Sequence, residues 1–156
     1  MAFSQFTGIA RTLLFCWARI DDYVAHQNKL IYSTALYSYN ATVPVEDIAE
    51  KIINREYKKR TLIALKAAIL REVENIEARH AQTIKLYFFK KMPTTEIALM
   101  RGKTSRTIFR DISAALDAFV LRFPELDITE DSFADLLQNY KWIREEHENQ
   151  RQIFAS

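Results

Sequence analysis

The chain has 156 residues, 49% of them hydrophobic and 27% charged, which is ordinary for a soluble globular domain. Its two glycines and three prolines are too few for a turn-rich β-sandwich or barrel, and its single cysteine, Cys16, excludes an internal disulfide and a multi-cysteine zinc site. The sequence has no apolar run of membrane-spanning length and no recognisable secretory signal. These features predict a cytoplasmic protein with no membrane partner.

The formal net charge of +2 conceals an uneven distribution along the chain. Residues 1–54 have a net charge of −1, residues 55–123 of +8 and residues 124–156 of −5. Within the middle block, residues 79–110 contain eight basic residues and one acid. A positive segment of this size attracts a polyanion such as a nucleic acid, although a solvated helical face has the same composition.

Apolar residues recur every three or four positions along most of the chain, which predicts an all-α fold. The first helix starts near Phe6 and reaches Ile20 or beyond, Pro44 suits the opening turn of a short helix, and residues 55–73 form a separate, longer helix. We predict that residues 1–75 form a helical packing or oligomerisation part. Its aromatic residues are expected in the core or at the seam of a homodimer, namely Phe6, Phe15, Trp17, Tyr32 and Tyr37.

Residues 76–123 are predicted to form three helices with a glycine turn between the last two. The second helix is expected from Thr95, with Thr94 as its cap, and Gly102 stands where a left-handed backbone costs little. Thr104 or Ser105 would cap the third helix, which continues to Phe123. A short helix, a tight turn and a longer helix with a basic beginning are typical of a DNA-binding helix-turn-helix.

The two motif helices need a small residue where they cross and an apolar pair between them. Ala98 meets the first requirement, and Ile97 and Ile108 meet the second. The exposed start of the third helix would then present polar groups to base edges, with cations nearby for phosphates. The predicted DNA-binding residues are Lys90, Lys91, Thr94, Arg101, Lys103, Thr104, Ser105, Arg106, Thr107, Phe109 and Arg110.

Residues 124–156 are predicted to form an acidic C-terminal helix and a polar tail. The apolar residues expected on one stripe of this helix are Phe133, Leu136, Leu137, Tyr140 and Ile143. This helix would either pack over the motif or contact a partner.

A set of motif positions agrees with a known family in register and without a gap, namely Ile76, Leu86, Phe88, Phe89, Met92, Glu96, Ile97, Ala98, Gly102, Thr107, Ile108, Ile112, Ala115 and Leu116. On these positions, residues 76–119 resemble region four of bacterial RNA polymerase sigma factors, the part that reads the −35 promoter element. The resemblance implies double-stranded DNA as a partner, with Ser105 to about Ser113 in the major groove, and RNA polymerase as a possible second partner. By layout and size, the chain also resembles small sigma-like regulators of phages and mobile elements of Gram-positive bacteria.

Three residues depart from the family pattern. Arg101 and Lys103 flank Gly102 where the family has apolar residues, and both are expected to point outward because burying two cations is costly. Phe109 stands where the family usually has a polar residue. It would either contact thymine methyl groups or pack on the helix predicted within residues 129–143.

No residue pattern predicts catalysis, a metal site or a cofactor. The three histidines lie far apart, and Glu145-Glu146-His147 lacks the second histidine of a zinc protease motif. The sequence therefore predicts a non-enzymatic, DNA-binding transcription regulator that could read two half-sites as a dimer. The second hypothesis is a protein-binding module, in which Phe109 and the acidic residues 124–156 contact RNA polymerase or another regulator without DNA.

Overall fold

The computed structural model describes residues 5–37 and 44–155, and all regular structure in these ranges is helical, which confirms the all-α prediction. The α-helices of these ranges are α1 (Gln5–Trp17), α2 (Ile20–Tyr37), α3 (Val45–Glu74), α4 (Ala78–Ile84), α5 (Thr94–Arg101), α6 (Ser105–Val120), α7 (Glu130–Asn139) and α8 (Lys141–Ala155). A π-helix over Lys85–Phe89 continues α4, and Phe123–Leu126 form a 3-10 helix.

The chain divides into two compact units. One contains α1 and the chain from residue 69 onward, and the other contains residues 19–68. In the first unit, α1 packs against α6, α8 and the π-helix, and α4 and α5 pack against α6. The predicted division into functional parts after residues 75 and 123 stays a prediction.

The apolar face of α6 forms the centre of the first unit. Its buried residues are Ile108, Ile112, Ala115, Leu116 and Phe119, whose spacing places them on one side of a helix. The core of this unit also includes Leu14, Ile84, Phe88 and Ile97, which are buried on α1, α4, the π-helix and α5. Burial of this face fixes the opposite side of α6 toward solvent.

The π-helix brings three consecutive aromatic residues against α1. The ring centroid of Phe15 lies 5.8 Å from that of Tyr87 and 4.8 Å from that of Phe88, both in edge-on geometry. Trp17 stacks on Phe89 with a centroid distance of 3.9 Å. A π-helix has more residues per turn than an α-helix, so consecutive side chains are separated by a smaller angle around its axis.

The aromatic residues of the first 75 residues were predicted in the core or at a homodimer seam, and the core placement holds for only part of the set. Phe15 and Trp17 pack as just described, and Phe6 contacts the ring of Phe123. Tyr32 is exposed, so it does not belong to the core. The side chain of Tyr37 lies outside the described residues.

Two predicted helix boundaries in the first half of the chain are wrong. The first helix ends at Trp17 and a new one starts at Ile20, so it does not run on into Asp21. Val45–Glu74 is a single helix, where we expected a short helix followed by a separate one from residue 55. No glycine or proline lies inside this stretch to end the first of the two predicted helices.

Two boundaries in the second half also differ from prediction. The helix that starts at Ser105 ends at Val120, and Pro124 lies inside the following 3-10 turn. The single C-terminal helix is interrupted at Tyr140, whose backbone is extended (φ −130°, ψ 97°) while the residue is buried. The predicted stripe from Phe133 to Ile143 therefore belongs to two helices.

An ion pair between the buried Glu72 and the partly exposed Arg122 connects the end of α3 to the segment that follows α6. Nε and Nη2 of Arg122 both lie 2.8 Å from Oε2 of Glu72, and Nε of Arg71 lies 3.2 Å from Oε1. The hydrogen bonds from Arg122 hold the pKa of the Glu72 carboxyl below its ordinary value, although burial opposes the shift. The pair therefore stabilises the fold only while Glu72 is ionised.

Because Glu72 must be ionised, the contribution of this ion pair to the free energy of unfolding depends on pH. Because the pKa of Glu72 is lower in the folded chain, its contribution is fully present above the ordinary pKa of about 4.5 and is lost as the pH falls below it. We expect Glu72→Gln to lower the melting temperature at pH 7. The melting temperature of this variant should also decrease less than that of the wild type as the pH is lowered. Thermal melts between pH 7 and 3, with the exposed Glu74→Gln as control, test this. If the melting temperatures of Glu72→Gln and Glu74→Gln decrease equally with pH, this role of the ion pair is contradicted.

Candidate nucleic-acid interface

The corner between α5 and α6 is built as the sequence predicts. Ile97 and Ile108 are fully buried between the two helices, and Ala98 is buried beside them. Gly102 adopts the left-handed conformation (φ 64°, ψ 37°), and the next amide, of Lys103, donates to the carbonyl oxygen of Ala98 at 2.9 Å. The left-handed glycine ends α5 and turns the chain into α6.

Thr104 caps α6, as one of the two predicted alternatives. Its Oγ1 accepts a hydrogen bond from the Thr107 amide at 3.3 Å, and the two threonine hydroxyl oxygens lie 3.0 Å apart. Ser105 is the first residue of the helix. The two threonines therefore stabilise the first turn of α6. This structural role is compatible with a contact between the same side chains and a ligand.

Arg106, Phe109 and Arg110 form one exposed face at the start of α6, which we call the α6 face. Arg106 and Arg110 are four residues apart, so they lie one above the other on the helix surface. Neither guanidinium pairs with an acidic side chain in the part of the chain that the structure describes. Phe109 is 56% exposed. The C-terminal helices therefore do not cover it, which removes one of the two predicted placements of this ring.

Lys90, Lys91 and Thr94 lie where the chain enters α5. Both lysines are exposed, and Lys91 has a left-handed backbone (φ 55°), which is uncommon for a residue with a side chain. The prediction that Thr94 caps α5 is wrong, because Pro93 occupies the N-cap and Thr94 is the first helical residue. The Thr94 side chain is half-buried.

Arg101 is turned into the protein, so the prediction that it points outward is wrong. Its side chain is 16% exposed, and Nη1 lies 3.0 Å from Oγ1 of Thr83 and 3.3 Å from Oδ2 of Asp111. Its Nη2 donates to Oε1 of Gln82 at 3.4 Å. Polar acceptors on α4 and α6 compensate the loss of water around the cation. Lys103 is 49% exposed and points outward as predicted, with Nζ 3.9 Å from Asp111.

The two cations that flank Gly102 should therefore differ in their effect on stability. We expect Arg101→Ala to lower the free energy of unfolding by about 1–2 kcal/mol, since charge-assisted hydrogen bonds to the buried Thr83 and the partly buried Asp111 are lost. Lys103→Ala should change it by less than about 0.5 kcal/mol, since an exposed pair at this distance contributes little. Urea denaturation of the two variants measures the difference. Equal losses would contradict the inward placement of Arg101.

Two apolar residues on the exposed side of α5 were missed by the sequence reasoning. Leu99 and Met100 are both exposed, next to the buried pair Ile97 and Ala98. The helical period could have predicted their exposure, because residues one or two positions after a buried pair lie on the side of the helix that faces away from the core. They add apolar surface to the same corner that carries the α6 face.

Two of the histidines have structural contacts. Nδ1 of His147 lies 2.8 Å from the buried Oγ1 of Thr12, and its ring packs edge-on against Phe133. Burial is the main cause that lowers the pKa of His147, and Arg151 lowers it further. Nε2 of His80 lies 3.7 Å from Glu77. These contacts give both rings a packing or pairing role.

Across residues 5–37 and 44–155, no three His, Cys, Asp or Glu side chains are grouped so that they could hold a metal ion. None of the helices described combines the length and apolar character needed to cross a membrane. Comparisons with protein-family models, curated proteins and solved structures found no match to this chain.

Proposed function

We propose that this protein is a DNA-binding transcription regulator, similar to region four of sigma factors, that reads duplex DNA through α6. The main support for this proposal is the exposed α6 face, which consists of Arg106, Phe109 and Arg110 and follows the tight turn at Gly102. The major groove admits an α-helix, and arginine can donate two hydrogen bonds to guanine. An exposed phenylalanine can contact the methyl group of thymine.

The phosphate contacts in this proposal come from the exposed cations around the same corner. Lys90 and Lys91 precede α5, and Lys103 follows Gly102. Residues 79–110 contain only one acid, Glu96, so the local field favours a polyanion. Each phosphate that such a cation neutralises adds about 0.9 to the slope of log affinity against log salt.

Arg101, Thr104 and Thr107 have a different role in the proposal. Arg101 is held by acceptors on α4 and α6, and the two threonines hold the first turn of α6. These residues orient the α6 face, and loss of one of them would weaken DNA binding through the fold. Ser105 is half-buried at the start of the helix and can reach a phosphate or a base edge.

Fluorescence anisotropy with a labelled duplex of about 30 base pairs tests the proposal, with salt varied from about 50 to 200 mM. We expect binding that weakens steeply with salt. If the protein does not bind the duplex at the lowest salt, direct DNA binding by this chain is refuted. The protein-binding function described next would then be the proposal to test.

The second candidate is a protein-binding module that contacts RNA polymerase or another cytoplasmic regulator. The exposed apolar residues Leu99, Met100 and Phe109 favour it, because apolar side chains exposed on the two packed helices α5 and α6 can serve as an interaction site. Under this alternative, purified RNA polymerase binds the chain in the absence of DNA, and Phe109→Ala weakens that complex. Polymerase binding that is unaffected by Phe109→Ala would refute a role for this surface.

A further inference from the structure

An exposed stripe runs along the first half of α3. Its residues follow one another at alternating steps of four and three, which keeps them on one side of a helix, and they are Glu46, Glu50, Ile53, Tyr57 and Arg60. We call this set the α3 stripe. Ile53 is 67% and Tyr57 70% exposed, so the apolar middle of the stripe faces solvent.

The surroundings of Ile53 form a shallow groove of about 650 Å³. Among the residues that the structure describes, those lining the groove belong to α3, and they are Asp47, Glu50, Lys51, Ile53, Asn54 and Tyr57. No other described helix of the unit formed by residues 19–68 contributes to this lining. Ile53 and Tyr57 in this open groove, with Glu46 and Arg60 at the two ends of the α3 stripe, have the composition of an interface core with a polar rim.

The order of charges along the stripe favours a second copy of this chain as its occupant. Two acids stand at one end and Arg60 at the other, with Ile53 in the middle. If a second copy lies antiparallel across a two-fold axis at Ile53, Glu46 faces the partner's Arg60 and Ile53 faces its own equivalent. A parallel arrangement would place equal charges opposite each other, which is unfavourable.

We propose that the α3 stripe binds a second copy of this chain in an antiparallel, two-fold arrangement. A two-fold interface requires a surface that is complementary to itself, and the sequence of charges on the stripe meets this requirement. Glu46 and Arg60 are 14 residues apart, so the contact extends over about 21 Å of helix. An interface of this size is small, and we expect the dimer to dissociate in the micromolar range.

The α1 aromatic residues Phe15 and Trp17, expected in the core or at a homodimer seam, pack against the π-helix within the first unit. Arg60 lies 3.6 Å from Glu56 in an exposed pair on its own helix. Such pairs contribute little, so Arg60 can exchange this contact for one with the partner's Glu46. The proposal does not depend on the proposed DNA binding.

Sedimentation equilibrium of the full chain between about 10 and 200 µM tests the proposal. The wild type should dimerise, and Ile53→Glu should weaken the dimer at least about tenfold by placing two carboxylates at the axis. Leu121→Glu introduces the same change at an exposed apolar residue of the other unit and should leave association unchanged. Circular dichroism establishes that each variant remains folded.

Charge reversal tests the antiparallel pairing itself. Glu46→Lys and Arg60→Glu should each weaken self-association, because each places equal charges opposite one another. Mixed together, the two variants should form a heterodimer, since the lysine introduced in one chain faces the glutamate introduced in the other, while the native pair remains on the opposite side of the axis. A monomeric wild type at about 200 µM would overturn the proposal, as would a dimer unaffected by Ile53→Glu or a mixture that stays monomeric.

Discussion

Replacement of Phe88 by alanine is expected to lower the free energy of unfolding by about 3–5 kcal/mol. Phe88 is fully buried at the π-helix, and its ring contacts those of Phe15 and Tyr87 in edge-on geometry. The substitution removes these contacts and leaves a cavity between α1 and the π-helix that rigid neighbours fill only in part. Loss of this residue should therefore loosen the packing of α1 on the rest of its unit.

Phe109→Ala is the matched control, because it removes the same side chain from an exposed position on α6. Its effect on stability should stay within about 0.5 kcal/mol. Chemical denaturation of the two variants measures both values. A loss below about 1 kcal/mol for Phe88→Ala would contradict the buried aromatic cluster.

The double variant Arg106→Ala/Arg110→Ala is expected to weaken binding to the protein's own DNA site by about 100-fold, since a bidentate arginine–guanine contact contributes about 1–3 kcal/mol. Both side chains are exposed and four residues apart on α6, so they can be removed without loss of a core contact. The site itself is found by selection from random duplexes. Binding to unrelated sequences should fall much less.

Two further variants distinguish the base contacts from general charge effects. Arg144→Ala/Arg151→Ala removes the same charge from exposed positions on α8 and should leave site affinity nearly unchanged. Lys90→Ala/Lys91→Ala should reduce the salt slope by about 2 and weaken all sequences alike. If the α8 variant lowers affinity as much as the α6 variant, the assignment of the α6 face is refuted.

Local signals were sufficient to predict the corner between α5 and α6. The glycine turn, the threonine cap and the burial of Ile97 and Ile108 each depend on a few neighbouring residues. Turn and cap residues act on their own backbone, and helical spacing identifies the face that is buried. These are the features of the candidate site that were predicted correctly.

The features that sequence reasoning missed depend on tertiary packing. Arg101 turns inward because Thr83 and Asp111, distant in sequence, supply acceptors. The break at Tyr140 lies in a stretch without proline or glycine, and it accompanies the burial of that ring. The π-helix over Lys85–Phe89 likewise has no local signal, and it coincides with the aromatic contacts to α1.

In the proposed complex, duplex DNA lies against α6 and the residues that flank Gly102. Chemical-shift mapping of the isotopically labelled full chain, titrated with a duplex at about 50 mM salt, tests it most directly. We expect the largest shifts on amides of residues 90–94 and 102–110, while α7 and α8 stay unperturbed. Shifts concentrated on α7, α8 or the residues of α3, or no shifts at all, would contradict it.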